Sequence, residues 1–378
     1  MTNEHGVKIP VAQPNITEAD VQLVAEAVRS GWVSNGPMVE RFESEFCSAV
    51  GANYAIAMNS GTAALHVALA ALDIGPGDEV IVPSLSFIST ANVVLYLGAK
   101  PVLVECDPET FNVTPEIISA AITPNTKAVI PVEMNGIPLD YAPLIQLCEE
   151  RNIALIADSA ESLGSASRGT RIGSQASVHC FSFFPNKSIT TGEGGMVTCS
   201  DASMADRIRQ LVNQGQDGRY NHVALGYSYR MTEMQAALGI SQLSRLENLI
   251  KEKGELADYY DSHFENIEGV DLPPRPDWAT SQSWFMYSIL VSNQTIRDSV
   301  AEHLAQSNID TRLGFPPIHN QPYYREKFGY HADDLPVTMN LWERKIDLPS
   351  WPQMSEEERH RVVTAVIEAL EAGSQNDE

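Results

Sequence analysis

Apolar residues follow two alternating patterns through the first half of the chain. Short, continuously apolar runs alternate with longer stretches in which apolar residues recur every three or four positions. The first pattern predicts strands buried on both faces, and the second predicts amphipathic helices. The predicted strands span residues 54–58, 79–83, 101–105, 127–132 and 153–158, and the predicted helices span 63–72, 88–97 and 139–151. This alternation predicts a parallel sheet with helices on both faces.

The two ends of the chain carry the same helix-start signal. Thr17 and Asp20 have the spacing of a capping box, and Ser355 and Glu358 repeat it near the C-terminus. Beyond residue 250 strand-like and helical patterns are mixed. We therefore predict an α/β fold in which residues 1–250 form a large domain with an N-terminal helical segment, and residues 251–378 form a smaller α+β domain.

One lysine follows a buried strand in an unusual setting. Lys187 comes after the apolar run 181–184 and a Pro-Asn turn, and a glycine-rich segment leads on to the next apolar strand. Burial disfavours the charged form of a lysine, and a neutral amine attacks carbonyl groups, including that of pyridoxal 5′-phosphate (PLP). A solvated lysine on a strand connection is the alternative. The other lysines lie in polar or helix-end surroundings and are predicted to be exposed: Lys8, Lys100, Lys127, Lys251, Lys253, Lys327 and Lys345.

Further candidates follow predicted strands, at the sheet edge where ligands bind in α/β proteins. Ser60, Gly61 and Thr62 precede a helix whose free N–H groups favour a phosphate, although an ordinary helix cap also explains the serine. Phe87 either stacks on a planar cofactor or fills the core. Asp158 either caps the next helix or keeps a pyridine nitrogen protonated. A PLP-binding lysine in the same chain favours the second role.

Charge and cysteine content exclude several classes of function. The chain has 49 acidic and 25 basic residues and a net charge of −24, which would repel nucleic acids and anionic membranes. Its cysteines are odd in number and never spaced Cys-x-x-Cys, so neither disulfides nor a metal site is expected. No apolar run is long enough to span a membrane, and residues 1–10 lack the apolar core of a signal peptide. We expect a cytoplasmic protein without a nucleic-acid or membrane partner.

Five motifs occur in the order found in one known family. They are Ser-Gly-Thr-Ala-Ala-Leu at 60–65, Pro-Ser-Leu-Ser-Phe at 83–87, Asp-Ser-Ala-Glu-Ser-Leu-Gly at 158–164, the stretch 182–195, and Tyr-Arg-Met-Thr-Glu at 229–233. Together they resemble the DegT/DnrJ/EryC1/StrS family of PLP-dependent nucleotide-sugar aminotransferases. The resemblance covers nearly the whole chain and implies the type I fold, which is that of aspartate aminotransferase.

The resemblance implies a role for each matching residue. Lys187 corresponds to the lysine that binds PLP covalently and Asp158 to the partner of the pyridine nitrogen, so these two are the predicted catalytic residues. The residues expected to contact the cofactor are Ser60, Gly61, Thr62, Phe87, Asp158, Glu161, Ser182, Lys187 and Ser228. The residues expected to contact the substrate are Arg219, Tyr220, Arg230, Arg312 and His319.

Two segments depart from the family pattern. The motif Gly-x-Asn-x-Arg has Ser228 in place of asparagine; serine can still donate one hydrogen bond to the phosphate, but its side chain is shorter and reaches less far. The motif His-Leu-Tyr-Gly reads Glu133-Met134-Asn135-Gly136, which predicts an altered edge of the pocket. In family dimers the loop that matches 219–230 reaches the neighbouring active site. The resemblance therefore also implies a homodimer with shared active sites.

The resemblance further implies that L-glutamate donates an amino group to a nucleotide-sugar ketone through pyridoxamine phosphate (PMP). Related sugar dehydratases carry histidine at the position of Lys187, so the lysine favours amino transfer. The segments 9–11, 30–34, 189–195, 309–312 and 317–319 are similar to those of members that convert GDP-4-keto-6-deoxymannose to GDP-perosamine, a precursor of lipopolysaccharide O-antigen. UDP-linked, dTDP-linked and 3-keto sugars are the alternatives. A non-catalytic PLP-binding regulator is the alternative of another class.

Overall fold

The computed structural model describes residues 7–374. Its α-helices are α1 Glu18–Arg29, α2 Pro37–Val50, α3 Gly61–Ala71, α4 Ser89–Tyr96, α5 Pro115–Ala121, α6 Tyr141–Arg151, α7 Ala202–Val212, α8 Glu233–Leu243, α9 Leu246–Phe264, α10 Gln294–Gln306, α11 Pro322–Phe328, α12 Pro336–Arg344 and α13 Glu356–Ser374. Its β-strands are β1 Tyr54–Met58, β2 Glu79–Pro83, β3 Lys100–Val104, β4 Thr126–Val129, β5 Ala154–Asp158, β6 Ala166–Ser167, β7 Thr170–Arg171, β8 Val178–Ser182, β9 Gly195–Cys199, β10 Val270–Asp271, β11 Ala279–Ser281, β12 Tyr287–Val291 and β13 Lys345–Leu348. Short 3₁₀ turns lie at Met134–Gly136, Ile318–Asn320 and Ala332–Asp334. Within this part of the chain no helix has the length and apolar character needed to cross a membrane.

A seven-stranded sheet forms the centre of the larger unit. Its strand order is β1-β9-β8-β5-β4-β2-β3. Every neighbouring pair from β8 to β3 is parallel, whereas β9 runs antiparallel to both β1 and β8. The predicted α/β class with a mostly parallel sheet is therefore confirmed. Because β5 and β8 are parallel neighbours, their carboxyl ends lie side by side.

Helices cover both faces of this sheet, which explains why its strands are continuously apolar. Successive strand residues point to opposite faces, so Ala57 packs in one apolar cluster and Ile56 in the other. Phe42 of α2 belongs to the first cluster, and Leu65 of α3 belongs to the second. Burying one large apolar side chain contributes about 1.5–3 kcal/mol, so these two layers hold the strand ends firmly.

A smaller α+β unit follows. Its antiparallel sheet has the order β10-β12-β13 and packs against α10, α13 and the second half of α9. Helix α9 runs through the predicted domain boundary at residue 250 without a break. Its residue Leu249 packs in the core of the larger unit, while Leu256 packs in that of the smaller unit. Near the N-terminus, Ile9 pairs with Ile309 and also joins the smaller core.

Two lysines that were predicted to be exposed are buried, so that prediction was wrong for them. Lys253 in α9 is 5% exposed, and Lys345 at the start of β13 is 2% exposed. Lys253 shares one face of its helix with Leu249 and Leu256, both of which are core residues. Lys345 is compensated by Asp347, whose Oδ1 lies 2.8 Å from the lysine Nζ.

Candidate active site

A cavity of about 410 Å³ opens at the carboxyl ends of β5 and β8. Its walls come from loops and helix ends that are far apart in the sequence. The sequence-predicted residues that line it are Ser60, Gly61, Thr62, Phe87, Asp158, Glu161, Ser182, Lys187 and Arg312. The fold thus brings most of the predicted cofactor residues to one place.

Lys187 lies on the loop between β8 and β9. The turn is closed by a backbone hydrogen bond from Lys187 N to Phe184 O at 3.0 Å. The side chain is only 14% exposed, and its Nζ lies 3.5 Å from Glu161 Oε1. The same Nζ lies 3.9 Å from the centre of the Phe285 ring. A carboxylate and an aromatic face both attract an ammonium group, so together they hold this amine at the cavity wall.

Asp158 is the last residue of β5 and is buried. Its Oδ2 accepts a hydrogen bond from Thr90 Oγ1 at 2.8 Å, and its Oδ1 accepts one from Ala160 N at 3.2 Å. Burial raises the pKa of Asp158 to about 6, although both hydrogen bonds and the Lys187 charge act in the opposite direction. A carboxylate held at this depth is stabilised by any cationic donor on the cavity side. A protonated pyridine nitrogen is such a donor.

The N-terminus of α3 forms one end of the cavity. Ser60 caps this helix by accepting a hydrogen bond from Ala63 N at 3.1 Å. Ser182, at the end of β8, packs so closely that a Cβ added to Gly61 would lie 2.7 Å from the Ser182 Cβ. The helix start and the Ser182 hydroxyl can approach each other only because residue 61 is glycine. Free N–H groups and hydroxyls gathered at a helix N-terminus suit a phosphate group.

The altered motif at 133–136 lies mostly behind the cavity wall. Asn135 adopts a left-handed backbone conformation with φ of 57°, and its N–H donates to Glu161 Oε2 at 2.9 Å. Its side chain donates to Ser288 Oγ at 3.1 Å and accepts from Lys345 Nζ at 3.2 Å. The asparagine therefore ties Glu161, which contacts Lys187, to the smaller unit.

Glu133 is fully buried beside this segment. Tyr141 Oη donates to its Oε1 at 2.9 Å, and Ser162 Oγ donates to its other oxygen. Burial raises the pKa of Glu133 to about 7, even though these hydrogen bonds lower it. Met134, from the altered motif at 133–136, lines the cavity.

The loop at 214–230 holds four predicted residues that do not line the cavity of their own chain. Arg230 donates to Asn213 Oδ1 at 2.8 Å and to Ser228 Oγ at 3.1 Å, which fixes the base of the loop. Arg219 lies over the ring of Tyr220, which is 75% exposed. The loop therefore presents its polar and aromatic groups outward.

His319 also lies away from the cavity. It is fully buried, its Nδ1 is 2.7 Å from Ser84 Oγ, and its Nε2 is 3.2 Å from Ala332 O. Both ring nitrogens are therefore already paired. His319 therefore lies apart from Arg312 and the other residues that line the cavity.

Several residues around the cavity were not singled out from the sequence. Thr90 anchors Asp158, Phe285 supports Lys187, and the ring of Phe315 lies 5.4 Å from that of Phe87. Phe285 lies next to a buried strand in a run that looks like ordinary core. Thr90 could have been found from the sequence, because it lies one helical turn after Phe87, a residue already predicted to contact the cofactor.

Comparison with known proteins agrees with this geometry. Residues 14–367 match the model of the DegT/DnrJ/EryC1/StrS aminotransferase family. The chain belongs to this family. Members of the DegT/DnrJ/EryC1/StrS family are PLP-dependent sugar aminotransferases, and the predicted type I fold, enzyme class and cofactor are confirmed.

Individual family members resemble the chain over nearly its whole length. The spore coat polysaccharide biosynthesis protein SpsC of Bacillus subtilis strain 168 is 37% identical over 374 residues, which is 95% of this chain and 96% of that protein. GDP-perosamine synthase of Escherichia coli O157:H7 is 38% identical over 353 residues, with coverage of 93% and 95%. The solved structure of Spr1654 from Streptococcus pneumoniae in its PLP form superposes with a TM-score of 0.92 at 30% identity, covering 97% of this chain and 99% of that one.

The cavity residues fit PLP. The buried carboxylate of Asp158 suits the pyridine nitrogen, the α3 N-terminus beside Ser182 suits the phosphate, and the amine of Lys187 lines the same cavity. Phe87 is 53% exposed and lies on the cavity wall, where a flat ring can stack on it. Charge, shape and reactive group are therefore all provided by this chain.

Proposed function

We propose that this enzyme transfers an amino group from L-glutamate to a 4-keto-6-deoxy nucleotide sugar. The favoured substrate is GDP-4-keto-6-deoxymannose, which would give GDP-perosamine. The observation that carries amino transfer is that Lys187, Asp158 and the α3 N-terminus line one cavity. The 38% identity to GDP-perosamine synthase of Escherichia coli supports the GDP sugar. UDP-linked, dTDP-linked and 3-keto sugars are the alternatives, because SpsC is equally similar and carries a different name.

In this proposal each cavity residue has one task. PLP, when bound, supplies the electron sink that allows an amino group to be transferred from one carbon to another. Lys187 holds the cofactor covalently between turnovers. Asp158 keeps the pyridine nitrogen protonated, while the α3 N-terminus and Ser182 bind the phosphate.

Lys187 has a second task once the substrate amine has displaced it. Its Nζ would carry a proton between the substrate carbon that bears the amino group and the cofactor side of the amino nitrogen. Glu161, at 3.5 Å, stabilises the ammonium group that exists between these two proton transfers. Arg312 stands at the wall of the same cavity and provides the positive charge for an anionic substrate.

We also propose a homodimer in which the loop at 214–230 completes the partner's active site. Tyr220, Val223 and Leu225 are 75%, 54% and 87% exposed, and apolar groups gathered on one loop support a protein contact. Arg219 and Ser228 do not line the cavity of their own chain, which agrees with a role in a second copy. Lys187→Ala and Arg219→Ala chains are unfolded, mixed in equal amounts and refolded together. Activity should return, because each mixed dimer has one site with both Lys187 and the partner's Arg219 intact. If mixing restores nothing, the shared-site proposal is wrong.

The substrate proposal is tested in two separate half-reactions. L-Glutamate is added to the PLP-loaded enzyme and removed, and then GDP-, dTDP- and UDP-linked 4-keto-6-deoxy sugars are supplied one at a time. We expect loss of the visible PLP absorption band, followed by its recovery and an amino sugar detected by mass spectrometry with the GDP sugar. Recovery with another nucleotide alone would replace the GDP assignment. An enzyme that binds PLP but loses no absorbance with glutamate would favour the regulator.

A further inference from the structure

A second cavity, of about 280 Å³, adjoins the one that Lys187 lines. Arg312 and Phe315 line both cavities, so the two share part of their walls. Phe285 also lines the second cavity, and its ring lies 3.9 Å from Lys187 Nζ. The second cavity therefore lies next to the reacting amine, on the side of the smaller unit.

A closed ring of polar contacts borders the second cavity. Lys345 Nζ lies 2.8 Å from Asp347 Oδ1 and donates a hydrogen bond to Asn135 Oδ1 at 3.2 Å. The amide of Asn135 donates to Ser288 Oγ, which in turn donates to Asp347 Oδ1. Lys345, Asp347 and Asn135 line the cavity. Within residues 7–374 the second carboxylate oxygen, Asp347 Oδ2, accepts no hydrogen bond, so one acceptor of the pair is free.

Stability does not explain this buried pair. The side chains of Lys345 and Asp347 are each 3% exposed, and removing two charges from water costs about as much as their attraction returns. Asn135, which holds the lysine, belongs to the motif that departs from the family pattern. Gly314 lets its loop approach the ammonium group, since an added Cβ would lie 3.2 Å from Lys345 Nζ. The charged pair thus lies where the sequence of this chain is unusual.

The groups around the second cavity suit a sugar ring. Lys345 and Asp347 have opposite charges, so together they do not favour an anion. A hydroxyl group suits them, because it can accept a hydrogen bond from the ammonium and donate one to the carboxylate. The rings of Phe285 and Phe315 provide apolar walls for the carbon face of a sugar. Arg312 makes no side-chain hydrogen bond or ion pair in the described part of the chain, which leaves it for the anionic part of the substrate.

We infer that the second cavity binds the hexose of the nucleotide sugar, and that Lys345 and Asp347 select this hexose through its ring hydroxyl groups. Lys345 Nζ donates to a hydroxyl oxygen, and Asp347 Oδ2 accepts from a hydroxyl group. A sugar without that hydroxyl is rejected, because it leaves buried polar groups without a partner. The inference rests on the proposed function, since it requires a sugar substrate, and it holds whichever nucleotide carries the sugar.

A double variant, Lys345→Met with Asp347→Asn, tests the inference. It removes both charges together, so neither is left buried without its partner. The two half-reactions are followed separately through the visible PLP band. We expect the L-glutamate step to be unchanged and kcat/KM of the sugar step to fall by about tenfold or more, because hydrogen bonds to charged groups are lost.

The matched control is Lys8→Met with Asp310→Asn. It removes another lysine–aspartate pair, whose charged atoms are 3.0 Å apart, and neither residue lines either cavity. Both half-reactions of this control should match those of the wild type.

Sugar analogues that each lack one ring hydroxyl group provide a second measurement. With at least one analogue the wild type should lose about tenfold in kcat/KM, whereas the double variant should lose nothing further, because its contact is already absent. Calorimetry of the nucleoside diphosphate without its sugar should give equal affinities for the wild type and the double variant, since the pair contacts only the hexose.

Several results would overturn the inference. Equal losses in both half-reactions would show a structural role or a glutamate contact, and an unchanged sugar step would show that the pair takes no part. Analogues that lose the same factor in both proteins would show that the pair binds no hydroxyl group. Should the double variant not fold, Asp347→Asn alone provides the same test.

Failure of the proposed function would look different. In that case the wild type would lose its PLP band with L-glutamate and recover it with no nucleotide sugar, which would refute the sugar substrate and this subsite together. The results that overturn the subsite alone all require a wild type that accepts a nucleotide sugar.

Discussion

Asp158 is held in a charged form that its own burial opposes. Its pKa is raised from 3.8 to about 6, so the folded protein binds its proton more tightly than the unfolded chain does. The folded state is therefore penalised at every pH above about 4, and the penalty is complete above about pH 6. A group that costs stability in this way is typical of a functional site.

Replacing Asp158 with asparagine should stabilise the cofactor-free protein while removing its activity. The pKa difference corresponds to roughly 3 kcal/mol, and because the amide nitrogen of asparagine cannot accept the hydrogen bond that Thr90 Oγ1 donates to Asp158, we expect a net gain of about 2 kcal/mol near pH 7.5. Urea unfolding of both proteins measures this gain, which should shrink as the pH falls below about 6. A less stable variant at pH 7.5 would contradict the assigned pKa.

Lys187→Ala should lower amino transfer by roughly 10³-fold or more, because the covalent link and the proton carrier are both lost. Circular dichroism should stay unchanged, since the side chain makes one long ion pair and one ring contact. Lys251→Ala is the control, because Lys251 is 73% exposed and forms an ion pair with Glu255 on its own helix. Retained activity in Lys187→Ala would refute the assignment.

At the residue scale the sequence was a good guide wherever position along a strand carried the information. Asp158 and Ser60–Thr62 follow strands, and parallel strands of one sheet end at a common edge. Lys253 was missed because its neighbours in sequence are charged. The spacing of Leu249, Lys253 and Leu256 nevertheless places the lysine on the buried face of the helix.

Among the elements, the close contact between α3 and β8 decides how well phosphate is bound. Gly61→Ala should push these two elements apart, because the new Cβ would lie 2.7 Å from Ser182 Cβ. We expect PLP affinity, measured by titration of the cofactor-free enzyme, to fall by about tenfold, in line with the 1–3 kcal/mol cost of overpacking. Gly75→Ala is the matched control, because nothing lies within 4 Å of its added Cβ. Equal affinities in both variants would contradict this view of the phosphate end.

The elements themselves followed the apolar pattern, with differences that have physical reasons. Strand β4 was predicted to reach residue 132 but ends at Val129, because Pro131 has no N–H to donate to a neighbouring strand. The direction of β9 was not predicted. The glycine-rich segment after Lys187 returns the chain directly beside β8, so these strands pair in antiparallel fashion. Apolar periodicity alone does not distinguish a return from a crossover.

At the scale of the whole molecule, the proposed dimer depends on the loop at 214–230. Leu225→Glu should shift the protein towards monomer in sedimentation experiments, because a charge would be buried in the contact. Activity should fall together with dimer content. Tyr323→Glu, which alters an aromatic residue that is 51% exposed elsewhere on the surface, should change neither. An unchanged sedimentation profile of Leu225→Glu would contradict the proposed contact.

Both units of the molecule contribute to the cavity. Lys187 and Asp158 come from the larger unit, while Arg312 and Phe315 come from the smaller one, whose Phe285 contacts Lys187 from outside the cavity lining. The sequence indicated two units but not how they meet. Phe285, for example, lies in an apolar segment and was therefore interpreted as an ordinary core residue of the smaller unit. The relation between the units depends on contacts between residues far apart in sequence, which local patterns do not record.

The central claim is that the amine of Lys187 binds PLP, and chemical trapping tests it most directly. The PLP-loaded enzyme is reduced with borohydride, which makes the lysine–cofactor bond permanent, and is then digested and analysed by mass spectrometry. We predict that the pyridoxyl group is found on Lys187. A label found on Lys253 or on another lysine, or no label on any peptide, would contradict the claim.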